Sequence, residues 1–390
     1  MVPVMWSRLA LVAISAVAFI GGAPAVAGHG AAVTGPGVVF SVFEGLPPSG
    51  ACPGLYVAEE RTRRITWLGG WDEQREDSAV YPSFTSRGTL SYGHWVDPSA
   101  SVPLVDVYAG GRRVARPAFA RWAWSPRREE LAYGRVSADG RRLELVLTTT
   151  GGATRVLAPS IGIPPVWLPD GSGLVYVRRR GSVDVIPFVS RDGRRRRDLA
   201  RNGGEPVVSP DGRRVAFLRT VSKPSEKSVV EVWVVPTGGG RARKVVGPVP
   251  RLGLRLATWL SKRELLLQRG RESDSIFNAG ETLNRLDVDT LRERPFLKRA
   301  FALSVSPDRK RLLFVRSHTA AGETYYSVRT VDVTGRNGRL LGVVDEEDLN
   351  IGSRPVWKPP AATVDWVGDA PPAPRQQCER RLTAARDATS

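Results

Sequence analysis

Histidine is nearly absent from this chain: three in 390 residues, His29, His94 and His318. A histidine-rich metal centre is therefore excluded, and no cofactor is expected. His94 and His318 are the imidazoles open to general-base work, though a loop or core position is the plainer reading of each. Cysteine is as scarce, with only Cys52 and Cys378. No G-x-S-x-G elbow occurs, and neither a Walker loop nor a dinucleotide fingerprint does. Gly238 to Gly240 sits in a connection between strands rather than before a helix. Apolar runs long enough to cross a bilayer are missing as well. The stretch Leu9 to Ile20 follows Arg8 and precedes Ala25-Val26-Ala27, the pattern of a secretory leader with a small-residue cleavage site. Residues 1–27 are thus expected to be removed and 28–50 to form a linker. The mature chain is expected outside the cytoplasmic membrane, secreted or in the envelope. No cysteine stands at the cleavage point, so no lipid anchor is expected there.

What the chain has in excess is positive charge. It carries 57 Lys and Arg against 39 Asp and Glu, a formal net charge of +18. Such a balance attracts polyanions and anionic surfaces in a salt-dependent way. Gly and Pro are frequent but scattered, which suits many short strands joined by turns.

The stretch PVVSPDGRRVAFL, Pro206 to Leu218, reads as a turn between two short apolar strands. Looser copies recur along the chain, anchored at Phe84, Trp124, Trp167, Val208, Trp259, Val305 and Trp357. An aromatic follows nine residues after the anchor at Tyr133, Tyr176, Phe217, Phe314 and Trp366, and eight residues after Phe84 at Tyr92. Ser-Pro-Asp-Gly is turn chemistry: Pro pre-sets its φ, Asp bonds nearby backbone, and Gly accepts a positive φ. Asp170, Asp211 and Asp308 are therefore expected to be turn formers rather than catalytic acids. A second strand–turn–strand unit follows each hairpin up to the sixth, as in Val105 to Phe119 and Val230 to Gly247. Two hairpins make four strands, one propeller blade. Trp124, Trp167, Trp259 and Trp357 recur at blade spacing, which argues for packing between blades. Trp71, Trp95 and Trp122 fall outside that position and are candidates for exposed contacts.

The Ser-Pro-Asp-Gly hairpin followed by an apolar strand with a terminal aromatic resembles the WD-like repeats of TolB-type β-propellers. The full motif stands at Ser209 to Gly212, with partial copies at Pro169 to Gly171, Ser306 to Asp308 and Ser125-Pro126. The resemblance implies an all-β fold, a single β-propeller of four-stranded blades. It implies no reaction, because one fold hosts many functions, and the repeats leave no room for a hydrolase domain beside them. Residues 51–368 allow about 45 residues for each of seven blades or about 53 for each of six, against roughly 40–45 for such repeats. Seven blades are expected, with six, the usual TolB count, as the alternative. The hairpin at Trp357 has no second one after it, and the missing strands stand at Gly54 to Leu68. The last blade is thus expected to be shared by the two chain ends, two strands from each, which removes exposed sheet edges. Cys52 and Cys378 flank that blade and are expected to form a disulfide across it, two unpaired thiols being the alternative. Residues 369–390 make a tail.

Strands within a blade alternate in direction, so turns inside hairpins gather on one face and links between hairpins and blades on the other. The turn face then collects Arg112, Arg113, Arg127, Arg128, Arg194, Arg195, Arg196, Arg197, Arg213, Arg214, Arg309, Lys310 and Arg311. The link face receives Asp72, Glu73 and Asp77 together with Asp345, Glu346, Glu347 and Asp348. A basic face and an opposed acidic patch beside the closing blade are expected, with Arg178 to Arg180 in a link as the exception. Solvated arginines after glycine turns are the plain alternative. The function expected is that of a non-enzymatic, monomeric binding or scaffold module of the envelope. Its partner would be an envelope protein or an anionic polymer, with peripheral contact to the membrane surface. Nucleic acid would attract the same face, but export sets it apart as a physiological partner. A carbohydrate-active enzyme with carboxylates at the central channel is the alternative. The insertions around Ser222 to Ser228 and Glu272 to Glu281 are further candidates for recognition.

Overall fold

Each repeat folds as four antiparallel strands because its apolar residues come in short runs cut by turn formers. A computed structural model of the chain describes residues 37–42, most of 54–345, and 356–358, with residues 362, 383 and 387. Positions 63, 70, 73–76, 98–103, 120–121, 138, 140–141, 160–162, 222–228, 251–252, 271–281 and 321–322 lie outside it. Residues 1–27, expected to be a leader, with Cys52, Cys378, Trp366 and both insertions, are therefore outside the described residues.

The chain opens with β1 (Gly37–Val42), β2 (Gly54–Glu59) and β3 (Ile65–Gly69), followed by a small hairpin of β4 (Trp71–Asp72) and β5 (Asp77–Ser78). Six whole blades come next. The first is β6 (Val80–Phe84), β7 (Leu90–Asp97), β8 (Leu104–Ala109) and β9 (Arg112–Phe119). The second is β10 (Trp122–Trp124), β11 (Glu130–Val136), β12 (Leu143–Thr149) and β13 (Thr154–Pro159). The third is β14 (Ile163–Trp167), β15 (Gly173–Arg180), β16 (Val183–Ser190) and β17 (Arg196–Arg201). The fourth is β18 (Gly203–Val208), β19 (Arg214–Thr220), β20 (Val229–Pro236) and β21 (Arg243–Pro250). The fifth is β22 (Leu254–Trp259), β23 (Glu264–Arg269), β24 (Thr282–Asp287) and β25 (Glu293–Lys298). The sixth is β26 (Phe301–Val305), β27 (Arg311–Ala320), β28 (Glu323–Asp332) and β29 (Arg339–Asp345). A last strand, β30 (Val356–Lys358), pairs with β1 to give the sheet β3-β2-β1-β30.

The result is a propeller of seven four-stranded blades, which sets aside the six-bladed alternative. Closure differs from the expected division in one respect. Three strands of the closing blade come from the N-terminal end and one from the C-terminal end, rather than two from each. The extra strand, β1, lies within the stretch read as a linker. In the register, Val38 pairs with Trp357 and Val39 with Val356, which places Phe40 two residues beyond the anchor's partner. Tyr133 holds the same place relative to Trp124 in the second blade. Phe40 therefore supplies the aromatic of the seventh repeat, where the sequence pointed to Trp366.

Among the described residues there is no single core. The buried apolar residues fall into seven clusters, and each is shared by two adjacent blades; Phe40, Tyr56 and Trp67 of the closing blade pack with Leu313, Val315 and Tyr326 of the sixth. A second strand such as β11 must bury both of its faces, which is why it reads Leu131-Ala132-Tyr133 without a polar break.

The recurrent tryptophans join the blades as expected. Trp167 Nε1 donates to the Ala123 carbonyl at 2.9 Å, Trp259 Nε1 to Val207 at 3.0 Å and Trp357 Nε1 to Ser304 at 3.4 Å. Each acceptor is the residue just before the anchor of the preceding blade. Trp124 breaks the series, because its buried Nε1 has no hydrogen-bond partner among the described residues. A paired test follows. Trp259→Phe should cost about 1–2 kcal/mol through the orphaned carbonyl and lost contacts, and Trp124→Phe should cost less, because it removes a donor that is already unmet. Urea midpoints of the two variants measure the difference, and equal losses would remove the hydrogen bond from the account.

Candidate functional site

The turn between the first two strands of a blade holds part of the expected basic set. In the fourth blade the Asp211 carboxylate accepts the Arg213 amide at 3.1 Å and the Ser209 hydroxyl at 2.6 Å. Asp308 does the same in the sixth blade with Lys310 and Ser306, and Asp170 accepts the Ser172 amide in the third. These three aspartates are turn formers, as read from the sequence. Their charge is spent on backbone amides, and in the fourth and sixth blades the basic residue that follows, Arg213 or Lys310, points outward. Gly212 adopts φ +70°, and its counterpart in the sixth blade is Arg309 at φ +59°. A left-handed arginine is strained by roughly 1 kcal/mol relative to glycine. Its Nη1 hydrogen bond across to the Trp259 carbonyl, 3.0 Å, offsets that cost.

The second hairpins place a parallel ring of turns farther out. There Asp192 takes the Ser190 hydroxyl and the Arg194 amide, and Asp332 takes the Thr334 hydroxyl together with the Thr334 and Arg336 amides. The Thr334 hydroxyl first, then the Arg336 amide, hold the Asp332 carboxyl down to about 2. The Ser172 amide lowers Asp170, the Ser306 hydroxyl lowers Asp308, and the Ser190 hydroxyl lowers Asp192. A carboxylate whose pKa falls on folding lends stability that is complete above its unfolded value and is lost as pH drops through the folded one. The unfolding midpoint should therefore fall between about pH 4 and pH 2, and Asp332→Asn should flatten that decline. A pH-independent midpoint over this window would contradict it.

The thirteen basic residues expected on the turn face divide into two groups. One group is engaged in the ring itself. Arg113 pairs with Asp106 in the first blade. Arg196 donates to the Leu157 carbonyl of the blade before it, and Arg197 to the Gly238 carbonyl of the blade after it while lying over the Phe188 ring. Arg214 meets Asp289 of the next blade at 2.8 Å, Arg309 reaches Trp259, and Arg311 pairs with Glu60 of the closing blade. Arg191, not singled out from the sequence, binds Glu130 of the second blade. The other group, Arg112, Arg127, Arg128, Arg194, Arg195, Arg213 and Lys310, is exposed. None of these seven side chains forms an ion pair among the described residues. They are spread around the ring, from the first blade to the sixth, rather than gathered in one patch.

The acidic residues of the link face are only partly placed. Asp72 and Asp77 are direct partners across the β4–β5 hairpin, and Asp345 ends β29 opposite Tyr325. Their side chains, with Glu73 and Glu346 to Asp348, lie outside the described residues, as does the side chain of Trp71. Trp95 and Trp122 are half-buried, each edge-on to Tyr81, and Trp122 Nε1 donates to Ser83 Oγ at 3.0 Å. His94 stands edge-on to the stacked pair Tyr92 and Tyr108, and His318 lies 2.8 Å from Ser327 Oγ.

Neither a family model nor a curated protein matches the chain. Solved structures do. TolB from Acinetobacter baumannii is 17% identical with a TM-score of 0.45, and the match covers 72% of this chain and 66% of that one, just under two-thirds of its length. A putative TolB from Agrobacterium tumefaciens is 14% identical over 84% of this chain and 98% of that one, with a TM-score of 0.43. An oligogalacturonate lyase solved with manganese is 13% identical over 68% of this chain and 74% of that one, with a TM-score of 0.45. At these levels they add nothing to the strand order already described. Among the described residues, no helix is long and apolar enough to cross a membrane, and no group of three or more His, Cys, Asp or Glu could hold a metal ion.

Proposed function

We propose that this protein is an exported, non-enzymatic binding module whose turn face holds an anionic polymer of the cell envelope. The observation that carries the reading is the division of charge on that face. The aspartates of the turns are engaged with backbone amides, while Arg112, Arg127, Arg128, Arg194, Arg195, Arg213 and Lys310 project outward without ion pairs among the described residues. Cations spread over a rigid ring suit a long, flexible polyanion better than a compact anion, since many weak contacts add along the polymer. The seven inner strands, which line the channel, also support a binding role. Glu205 is their one carboxylate among the described residues, whereas glycoside hydrolysis calls for two.

The test is a binding titration of long-chain inorganic polyphosphate at several salt concentrations. The intact chain is compared with a variant carrying Arg128→Ser, Arg194→Ser, Arg195→Ser and Arg213→Ser. The wild type should bind with an affinity that falls steeply with salt, and the variant should bind more weakly with a shallower salt slope. Equal binding by both proteins, or no binding by the wild type at low salt, would remove the turn face from the account.

A further inference from the structure

Three joints between blades are built alike on the turn face. The first residue of a second strand pairs with the second-hairpin turn of the next blade. Glu130 binds Arg191 between the second and third blades, Arg214 meets Asp289 between the fourth and fifth, and Arg311 pairs with Glu60 between the sixth and the closing blade. An arginine near the start of the outer strand then reaches the backbone of the same turn. Arg155 donates to the Arg191 carbonyl, Arg243 to that of Val288 and Arg339 to that of Glu60. Each joint thus holds two arginines for one acid.

The joint between the fourth and fifth blades adds a third. Arg263 closes the turn between β22 and β23, and its Nε stands 3.2 Å from Asp289 Oδ2. Arg214 lies 2.8 Å and Arg243 4.0 Å from Oδ1 of the same carboxylate. The third blade has Ser172 in the place of Arg263: its carbonyl accepts the Arg191 amide at 2.9 Å, as the Arg263 carbonyl accepts the Val288 amide at 2.9 Å. Three guanidiniums and one carboxylate leave a surplus of two positive charges. The other acid of the turn, Asp287, is taken up by the Asp289 and Thr290 amides, both at 2.9 Å. Arg243 and Arg263 are 51% and 65% exposed, and their remaining N–H groups have no partner among the described residues.

Water screens charges this far out, so gathering them costs little. What the gathering supplies is preorganisation. Arg214 is held by Asp289, Arg243 by the Val288 carbonyl and Arg263 by the backbone bond to Val288, so an arriving anion has little left to order. Guanidinium forks match the oxygens of phosphate two at a time.

We propose that Arg214, Arg243 and Arg263, gathered around Asp289, form a subsite for one phosphate group. Three forks call for more acceptor oxygens than Asp289 supplies, and a phosphate brings more of them than a carboxylate does. For a phosphate borne on a polymer, the subsite rests on the turn-face reading and marks one point where the chain is held. For free phosphate it stands by itself.

Calorimetric titration of the intact chain with inorganic phosphate at low salt, with acetate in a parallel arm, tests this. Saturable binding of phosphate to one site is expected, with acetate about tenfold weaker or less. Arg263→Ser, which gives the fifth blade the residue of the third, should weaken phosphate about tenfold, the effect of one charge-assisted hydrogen bond. Arg263→Lys keeps the charge and should retain part of the binding. Both changes fall on an exposed turn residue, and a urea midpoint near that of the wild type checks that the ring is intact. The four-residue turn-face variant should still bind phosphate, since none of its four side chains belongs to the subsite. No phosphate binding by the wild type, equal binding of acetate, or binding unchanged in Arg263→Ser overturns the subsite. Polyphosphate capture that weakens in the four-residue variant, beside phosphate binding untouched by Arg263→Ser, removes the subsite and keeps the turn-face reading. Polyphosphate capture unchanged in the four-residue variant, beside phosphate binding weakened by Arg263→Ser, does the reverse.

Discussion

Glu60→Ala should destabilise the ring by about 3–5 kcal/mol, the usual cost of removing one partner from a buried ion pair. Glu60 sits in the turn after β2 of the closing blade and pairs with Arg311 of the sixth, and both side chains are largely shielded, at 12% and 18% exposure. Thr330 Oγ1 donates to the same carboxylate at 2.9 Å, Arg339 Nη1 donates to the Glu60 carbonyl at 2.7 Å, and Arg311 Nη2 also reaches Thr330 Oγ1 at 2.7 Å. Without the carboxylate, the Arg311 guanidinium stays enclosed and loses its counter-charge. Glu60→Gln keeps shape and hydrogen bonds and should cost less than the alanine variant. Equilibrium urea unfolding measures both. A loss below about 1 kcal/mol for Glu60→Ala would mean that this pair behaves like a solvent-exposed bridge and that apolar packing alone holds the joint.

Phe40→Ala should cost a similar amount, about 3–5 kcal/mol, as for other fully buried phenylalanines. The ring is completely enclosed and stacks on Tyr56 with centroids 5.9 Å apart. Gly342 of the sixth blade gives it room, since a Cβ there would stand 2.7 Å from Phe40 Cζ. Gly342→Ala should therefore overpack the joint by about 1–3 kcal/mol. Adding Phe40→Leu, which shortens the side chain, should return part of that loss. Strict additivity of the two substitutions would show that they do not meet. The comparison bears directly on closure, because Phe40 belongs to β1 and Gly342 to a blade near the other end of the chain.

The repeats were legible because their information is local. Period-two alternation and the Ser-Pro-Asp-Gly turn each lie within about a dozen residues, so the hairpins, the turn-forming aspartates and the inter-blade tryptophans could be read directly. β1 was missed because the anchor strand it pairs with, β30, stands at the far end of the chain rather than in a hairpin before it. A signal was nevertheless present. Val38-Val39-Phe40 repeats the apolar-apolar-aromatic triplet of Leu131-Ala132-Tyr133, Val215-Ala216-Phe217 and Leu312-Leu313-Phe314. The arginines were harder. Arg194 and Arg196 look alike in sequence, yet Arg196 reaches Leu157 and Gly193 while Arg194 projects outward. What separates them is a neighbouring blade, which the sequence does not place beside them.

The three-residue strand β30 also sets the order in which the molecule can assemble. Each whole blade pairs strands that are close along the chain, so blades one to six can form in turn as it emerges. The seventh cannot, because β1 waits with one edge bare until Trp357 arrives, at the end of the longest loop closure in the molecule. Until then the nascent protein is an open arc that exposes an unpaired strand to other chains. A chain that stopped before Val356 would keep all but one of its strands and remain in that aggregation-prone state.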